Sequence, residues 1–311
     1  ALTASTHEFT FSMAPKSLPS WINMGFEQKF IIERAYQLNK TRYGGGLVMR
    51  RVARWTGKLK PTMEGYMSIL GYNNHGVIRN KSLALSIEPV DFMTLSGKVK
   101  YQSRMPTFME MYAKNRFFIG NPGLDDEGLW DLELATDFRI GDHTRIHLNG
   151  FMGFISDMIV YVPFAGTQLR PINTGVARRY GVDLGFSSEP WSFLMVESKN
   201  SILSSKIKDT NAPLPQTPSF LGLTRIRFGI EDFLSLTLQS RYRGPATANI
   251  YGTLRTNPYA LFDAILAARL FQRLGLSLSI SNIFNVKSAR DTYEMPLPGT
   301  IFFGQIEVGN V

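Results

Sequence analysis

The sequence predicts an all-β fold: a transmembrane antiparallel β-barrel with about 14–15 strands in this chain. Three observations lead there. Apolar and polar residues alternate with a period of two over segments of roughly ten residues, which is the side-chain repeat of a strand. The connections alternate between short ones (near residues 89, 142, 189, 231 and 274) and long ones (near 115, 166, 211, 250 and 292). Membrane barrels have that asymmetry, with tight turns on one side and longer loops on the other. No run of ~18 apolar residues would make a transmembrane helix. Mean hydropathy near zero still suits a barrel wall, because only alternate residues face lipid.

The elements follow in order. His7 to Met13 reads as a weak first strand, closed by Pro15-Lys16-Ser17-Leu18-Pro19. Ile22 to Glu33 comes next. Tyr43 to Arg54 and Thr62 to Tyr72 form a pair across Thr56-Gly57-Lys58-Leu59-Lys60-Pro61. Val77 to Glu88 and Phe92 to Arg104 are joined by Pro89-Val90-Asp91. After a long connection, Asp131 to Ile140 alternates cleanly, so Leu132, Leu134 and Phe138 are expected to face lipid. Thr144 to Val162, Arg170 to Phe186 and Trp191 to Ser204 are each read as one strand. Thr224 to Ile230 and Leu234 to Arg243 turn at Glu231-Asp232, with Leu236 and Leu238 toward lipid. Tyr259 to Phe271 turns at Arg273-Leu274-Gly275 into Leu276 to Val286, where Leu278 and Ile280 share the apolar face. Gly299 to Gly309 is the last strand. Tyr101, Tyr161, Tyr180, Trp191, Tyr242 and Tyr259 are candidates for aromatic girdles at the membrane interfaces.

Composition narrows the function classes. With no cysteine, there is no disulfide framework, thiolate metal site or cysteine nucleophile. Net charge is +9, but the basic residues do not form a nucleic-acid-binding block. The densest group, Arg50, Arg51, Arg54, Lys58 and Lys60, reads as a solvated turn beside anionic lipid head groups. No catalytic constellation, cofactor fingerprint or metal set stands out, so an enzyme is not expected. His143 and His147 would lie roughly 13 Å apart on a strand, too far to share a metal. Gly44-Gly45-Gly46 reads as a loop or bulge rather than a phosphate cradle. The best site candidate is Arg225, Arg227, Arg241 and Arg243, on the polar, lumen-facing side of adjacent strands. They would attract anionic solutes, or pair with lumen acids such as Asp263 and Glu307, or meet a plug.

Several segments resemble successive signatures of the TonB-dependent outer-membrane receptor family. Arg104-Met105-Pro106-Thr107-Phe108-Met109-Glu110-Met111-Tyr112 is the first, and Gly120-Asn121-Pro122-Gly123-Leu124 with Asp126-Glu127 the second. Ser156-Asp157-Met158-Ile159 and the run Asn173 to Asp183 follow, then Asn282-Ile283-Phe284-Asn285 with Pro298-Gly299. The resemblance covers roughly residues 104–309. It implies solute uptake across a bacterial outer membrane, in contact with outer-membrane lipid, through a barrel of 22 strands. A plug domain and a TonB-contacting box are not legible in residues 1–311, which read as barrel throughout. The chain is then either the later part of such a barrel, with plug, TonB contact and remaining strands supplied by a second polypeptide, or a self-closed barrel of about fourteen strands. The alternatives to uptake are a plug-less, anion-favouring pore and a non-transporting scaffold of an envelope complex.

Overall fold

The computed structural model describes residues 4–13, 22–35, 38–73, 76–165, 168–230, 233–249, 252–270, 274–290 and 296–308. The expected turns at Glu231-Asp232 and Arg273 fall outside them. The chain begins with β1 (Ala4–Met13), β2 (Ile22–Ala35), β3 (Lys40–Arg54), β4 (Thr62–Tyr72), β5 (Gly76–Val90) and β6 (Met93–Arg104). One short helix, α1 (Phe108–Tyr112), precedes β7 (Glu127–Ile140), β8 (Thr144–Ser156), β9 (Met158–Pro163), β10 (Leu169–Thr174) and β11 (Ala177–Trp191). Then come β12 (Leu194–Ile207), β13 (Phe220–Ile230), β14 (Leu234–Arg243), β15 (Ala246–Thr247), β16 (Arg255–Thr256), β17 (Tyr259–Leu270), β18 (Leu274–Ser281) and β19 (Ile301–Val308).

Fifteen of these form one antiparallel meander, in the order β1 to β8, β11 to β14, then β17, β18 and β19. Those are the fifteen strands that the period-two pattern marks out. Two of the expected strands are divided. Thr144 to Val162 breaks at Asp157, whose φ of 52° cannot continue a pleat. β8 stays in the meander, while β9 leaves it to pair with β10 as a separate ribbon. Arg170 to Phe186 is correspondingly split into β10 and β11. β18 also stops at Ser281 instead of Val286, because Asn282 and Asn285 adopt φ of 53° and 52°. Asparagine tolerates that left-handed region better than most residues. The Gly44-Gly45-Gly46 run is neither loop nor bulge. It lies inside β3, in unbroken register with Tyr72, Gly71 and Leu70 of β4.

Packing divides the chain into two compact units, Ala1–Leu134 with Phe151–Arg179 and Lys206–Asn211, and Ala135–Gly150 with Tyr180–Ser205 and Ala212–Val311. In the first unit the sheet is apolar on one face. Leu47, Ile69, Leu83, Leu85, Leu132 and Leu134 are exposed there, while Arg42 and Ser68 are buried on the other face. Its apolar core gathers around α1 and the β9–β10 ribbon, from Phe108, Met111, Ala113, Leu124, Met158, Ile159 and Val160. In the second unit the register builds apolar ladders straight across the strands. Val196, Ile226, Leu238, Ala264, Ile280 and Phe302 align in one row. Leu194, Phe228, Leu236, Leu266, Leu278 and Gly304 align in the next. Leu236, Leu238 and Leu278 are exposed, and Phe138 and Ile280 half-buried. Exposed apolar side chains on one face, with charged and polar ones on the other, invert the order of a water-soluble protein.

Aromatic residues cluster near strand ends. Tyr101 packs 5.0 Å from Trp130, with the Lys81 ammonium 5.0 Å above the indole. Trp191 stacks on Phe193 at 5.7 Å, and Tyr242 meets Phe220 at 5.2 Å. Two girdle candidates are placed elsewhere. Tyr161 sits on the β9 ribbon against Phe118, and Tyr259 lines a cleft on the polar face of β17.

Candidate functional site

The polar face of the second unit carries the four arginines, because Arg225 and Arg227 of β13 share parity with Arg241 and Arg243 of β14. They do not form one site. Arg225 donates to Glu197 at 3.3 Å and to Gln239 at 3.0 Å. Arg241 forks onto Asp263 through Nε at 3.0 Å and Nη2 at 3.1 Å. Asp263 is buried and also accepts from Gln239 at 3.3 Å and from the Asn282 N–H at 2.9 Å. Its acceptor positions are therefore filled, which satisfies the buried charge. Arg227 lies apart, lining a cavity of about 240 Å³ with Glu307 and Gln305.

Arg243 differs from the other three. It is only 8% exposed. Its Nη1 donates to the Arg290 carbonyl at 3.2 Å, and its Nη2 is buried without a hydrogen-bond partner. It lines a cleft of about 560 Å³ with Lys199, Arg241, Tyr259, Leu261 and Leu297. The sequence points to Arg241 and Arg243 here but not to Lys199, and to Tyr259 only as a girdle candidate. The parity of β12 and β17 was the available signal, since both residues fall on the polar face.

In the first unit, the motif segments converge into a latch for the connection between β6 and β7. Thr107 and Glu110 form a capping box at α1, legible as Thr-x-x-Glu but absent from the strand-based reading. Glu110 accepts from Arg104 Nη1 at 3.0 Å and from the Thr107 N–H at 2.7 Å. Arg104 also pairs with Glu127, whose second oxygen accepts from the Ile159 N–H at 2.6 Å. Burial pushes the Glu110 carboxyl up, but Arg104 and the Thr107 donors outweigh it and hold it below the ordinary carboxylate value. Asn121 donates to the Pro171 carbonyl at 3.1 Å. Asn173 donates to the Asp157 and Asp125 carbonyls at 2.6 and 3.0 Å. Arg42 anchors this arrangement from β3, with Nη2 3.1 Å from the Pro106 carbonyl and its guanidinium 4.6 Å over the Phe108 ring. These signature residues hold backbone and shape the connection.

The remaining candidates are dispersed. His147 pairs with Asp137 at 2.7 Å, while His143 lies in the turn before β8. Among the described residues no group of three or more His, Asp or Glu is placed to hold a metal. In the basic group, Arg50 pairs with Glu64 at 2.8 Å, and Lys60 reaches Glu88 at 3.2 Å and Asp91 at 3.3 Å.

An antiparallel wall, apolar outside and charged inside, with a latched long connection, defines a membrane β-barrel. The family described as TonB dependent receptor-like, beta-barrel, matches residues 67–286. The chain belongs to that family, whose barrels are outer-membrane proteins of Gram-negative bacteria. Among solved structures it is similar to the ferric enterobactin receptor of Pseudomonas aeruginosa, with TM-score 0.78 and 14% identity over 98% of this chain and 54% of that one. The siderophore receptor PirA of Acinetobacter baumannii gives 0.73 and 15%, over 98% and 55%. The FrpB iron transporter of Neisseria meningitidis gives 0.69 and 14%, over 98% and 55%. No curated protein matches. The chain thus spans about half the length of these receptors and transporters, and the likeness shows the fold.

Proposed function

We propose that this chain forms barrel wall for an outer-membrane receptor that takes up a scarce solute, with plug, TonB contact and further strands contributed by another polypeptide or segment. The observation that carries this reading is the family match over residues 67–286, which runs from β4 to just past β18. Strand parity supports the presence of further strands. In an antiparallel meander of fifteen strands, the first and last run in the same direction. Closing them on each other would make a parallel seam, whereas single-chain bacterial barrels have even counts and antiparallel neighbours. Solved relatives are named for ferric enterobactin, siderophores and iron. A metal chelate is accordingly the solute class carried over here. The test is uptake of ferric chelates by a receptor-deficient Gram-negative host. The chain with its complementing polypeptide supports TonB-dependent uptake. No uptake of any ferric chelate with that polypeptide present contradicts the proposal.

A plug-less, anion-favouring pore is the second reading, favoured by the unpaired buried Nη2 of Arg243 on the polar face. Anion-selective single-channel conductance from this chain alone would select it.

A further inference from the structure

On the polar face of the first unit, cations are matched by acids. Arg50 pairs with Glu64 at 2.8 Å, Lys100 with Asp131 at 3.2 Å and Arg104 with Glu110 at 3.0 Å. Arg79 and Lys81 of β5 differ. They lie on the opposite, apolar face, between Val77 and Leu83, and both are exposed. Register sets Arg79 opposite Ile69, and Lys81 between Met67 and Tyr101. From β4 to Leu134 of β7 the outward positions carry no carboxylate, and among the described residues neither cation has an ion-pair partner.

Aromatic rings surround the pair. Tyr101 and Trp130 pack 5.0 Å apart, and the Lys81 ammonium lies 5.0 Å from the indole and 5.7 Å from the phenol ring. Ser103 fixes the adjoining backbone: its hydroxyl accepts from the Arg79 N–H at 3.1 Å and donates to the Arg79 carbonyl at 3.3 Å. Arg79, Tyr101 and Trp130 are each the fourth residue from the strand end on the side of the long 104–127 connection. Aromatic rings near strand ends mark a membrane interface. Along β5 the two cations are about 7 Å apart on one face. A bare cation is costly in hydrocarbon and well placed beside lipid phosphates.

The long connection is expected outside the cell, so this end of the wall meets the outer leaflet. We propose that Arg79 and Lys81 bind a phosphate group of a phosphorylated glycolipid in that leaflet. Arg79 supplies the planar fork that matches a phosphate. Lys81, steadied by the two rings, adds the second charge. Leu83 and Val99, one row deeper, meet the acyl chains. The inference needs the wall to face lipid and does not depend on the uptake reading.

The experiment uses the detergent-solubilised barrel that contains this chain. Diphosphorylated lipid A, its dephosphorylated form and phosphatidylglycerol are titrated separately in mixed micelles, and the affinity of each is read. Diphosphorylated lipid A binds most tightly. Arg79→Gln and Lys81→Gln each weaken its binding about fivefold, and the double variant by roughly twentyfold, the size expected for one and two lost charges at a lipid surface. Arg79→Lys keeps part of the affinity. Lys98→Gln, on the polar face of β6, leaves it unchanged. Equal binding of the phosphorylated and dephosphorylated forms would reduce the surface to apolar contact and overturn the proposal. Preference for phosphatidylglycerol, or unchanged affinity in the double variant, would also overturn it. The comparison among lipids uses the parent chain, so it stands whether or not a variant folds.

Discussion

Glu110 shows how one side chain organises a long connection. Its carboxylate is buried, satisfied by Arg104 and by the Thr107 donors, and it caps the only helix among the described residues. Glu110→Gln removes the charge that Arg104 holds. The expected loss is about 1–2 kcal/mol of local stability, less than a fully buried pair because Arg104 is half-exposed. Faster protease cleavage between residues 113 and 126 reads it out, and an unchanged rate contradicts the latch. The same contact sets a pH dependence. Glu110 titrates below its ordinary 4.5 when folded. Its contribution is therefore fully present above pH 4.5 and declines as acid protonates the folded carboxyl. Protease sensitivity of this connection should rise only in that acid window. On the outer face, Leu236 and Leu278 both pair with Leu266 in an apolar ladder. Arginine at either position costs roughly 2–4 kcal/mol if it lies near the bilayer midplane. Spin labels there that report water in bilayers would refute the lipid-facing assignment.

Strands and connections were legible to different degrees. β4 and β14 match their expected bounds, because nothing local competes with their alternation. The split at Asp157 was hidden, since Met158 to Pro163 continues an apolar run that a longer strand would also show. Only the left-handed backbone at one polar residue diverts it, and sequence alternation does not report φ. Asn282 hid the end of β18 in the same way. It takes the Val286 N–H at 2.8 Å and gives its amide to the Pro298 carbonyl at 3.1 Å. The arginine cluster was legible as a face but not as separate sites, because partner choice depends on cross-strand register. Gly46, expected with Gly44 and Gly45 in a loop or bulge, lies inside β3. A Cβ there would overlap the Ile69 carbonyl across the β3–β4 pair, so Gly46→Ala should reduce the heat-modifiable fraction formed together with the complementing polypeptide. A folded fraction equal to the parent's would show that the strands part easily. The connections at 104–129, 206–219 and 244–257 are the long ones and are expected outside the cell. Proteases added to intact cells should cut them, and cleavage only from the periplasmic side would invert the topology.

The meander of fifteen strands leaves its first and last members running the same way. A backbone polar group left unpaired in hydrocarbon costs several kcal/mol, so neither strand can face lipid with an open edge. The proposed uptake therefore calls for further strands between them, together with a plug and a TonB contact. The apolar ladders, the latched connection and the family match all belong to the wall. The direct measurement is to express residues 1–311 alone in a Gram-negative outer membrane and follow heat-modifiable migration together with TonB-dependent uptake of ferric chelates. Residues 1–311 alone are expected to give neither a closed, heat-modifiable monomer nor energised uptake, and both are expected once a polypeptide with further strands and a plug is supplied. A closed monomer that transports under TonB control without that second polypeptide would contradict it.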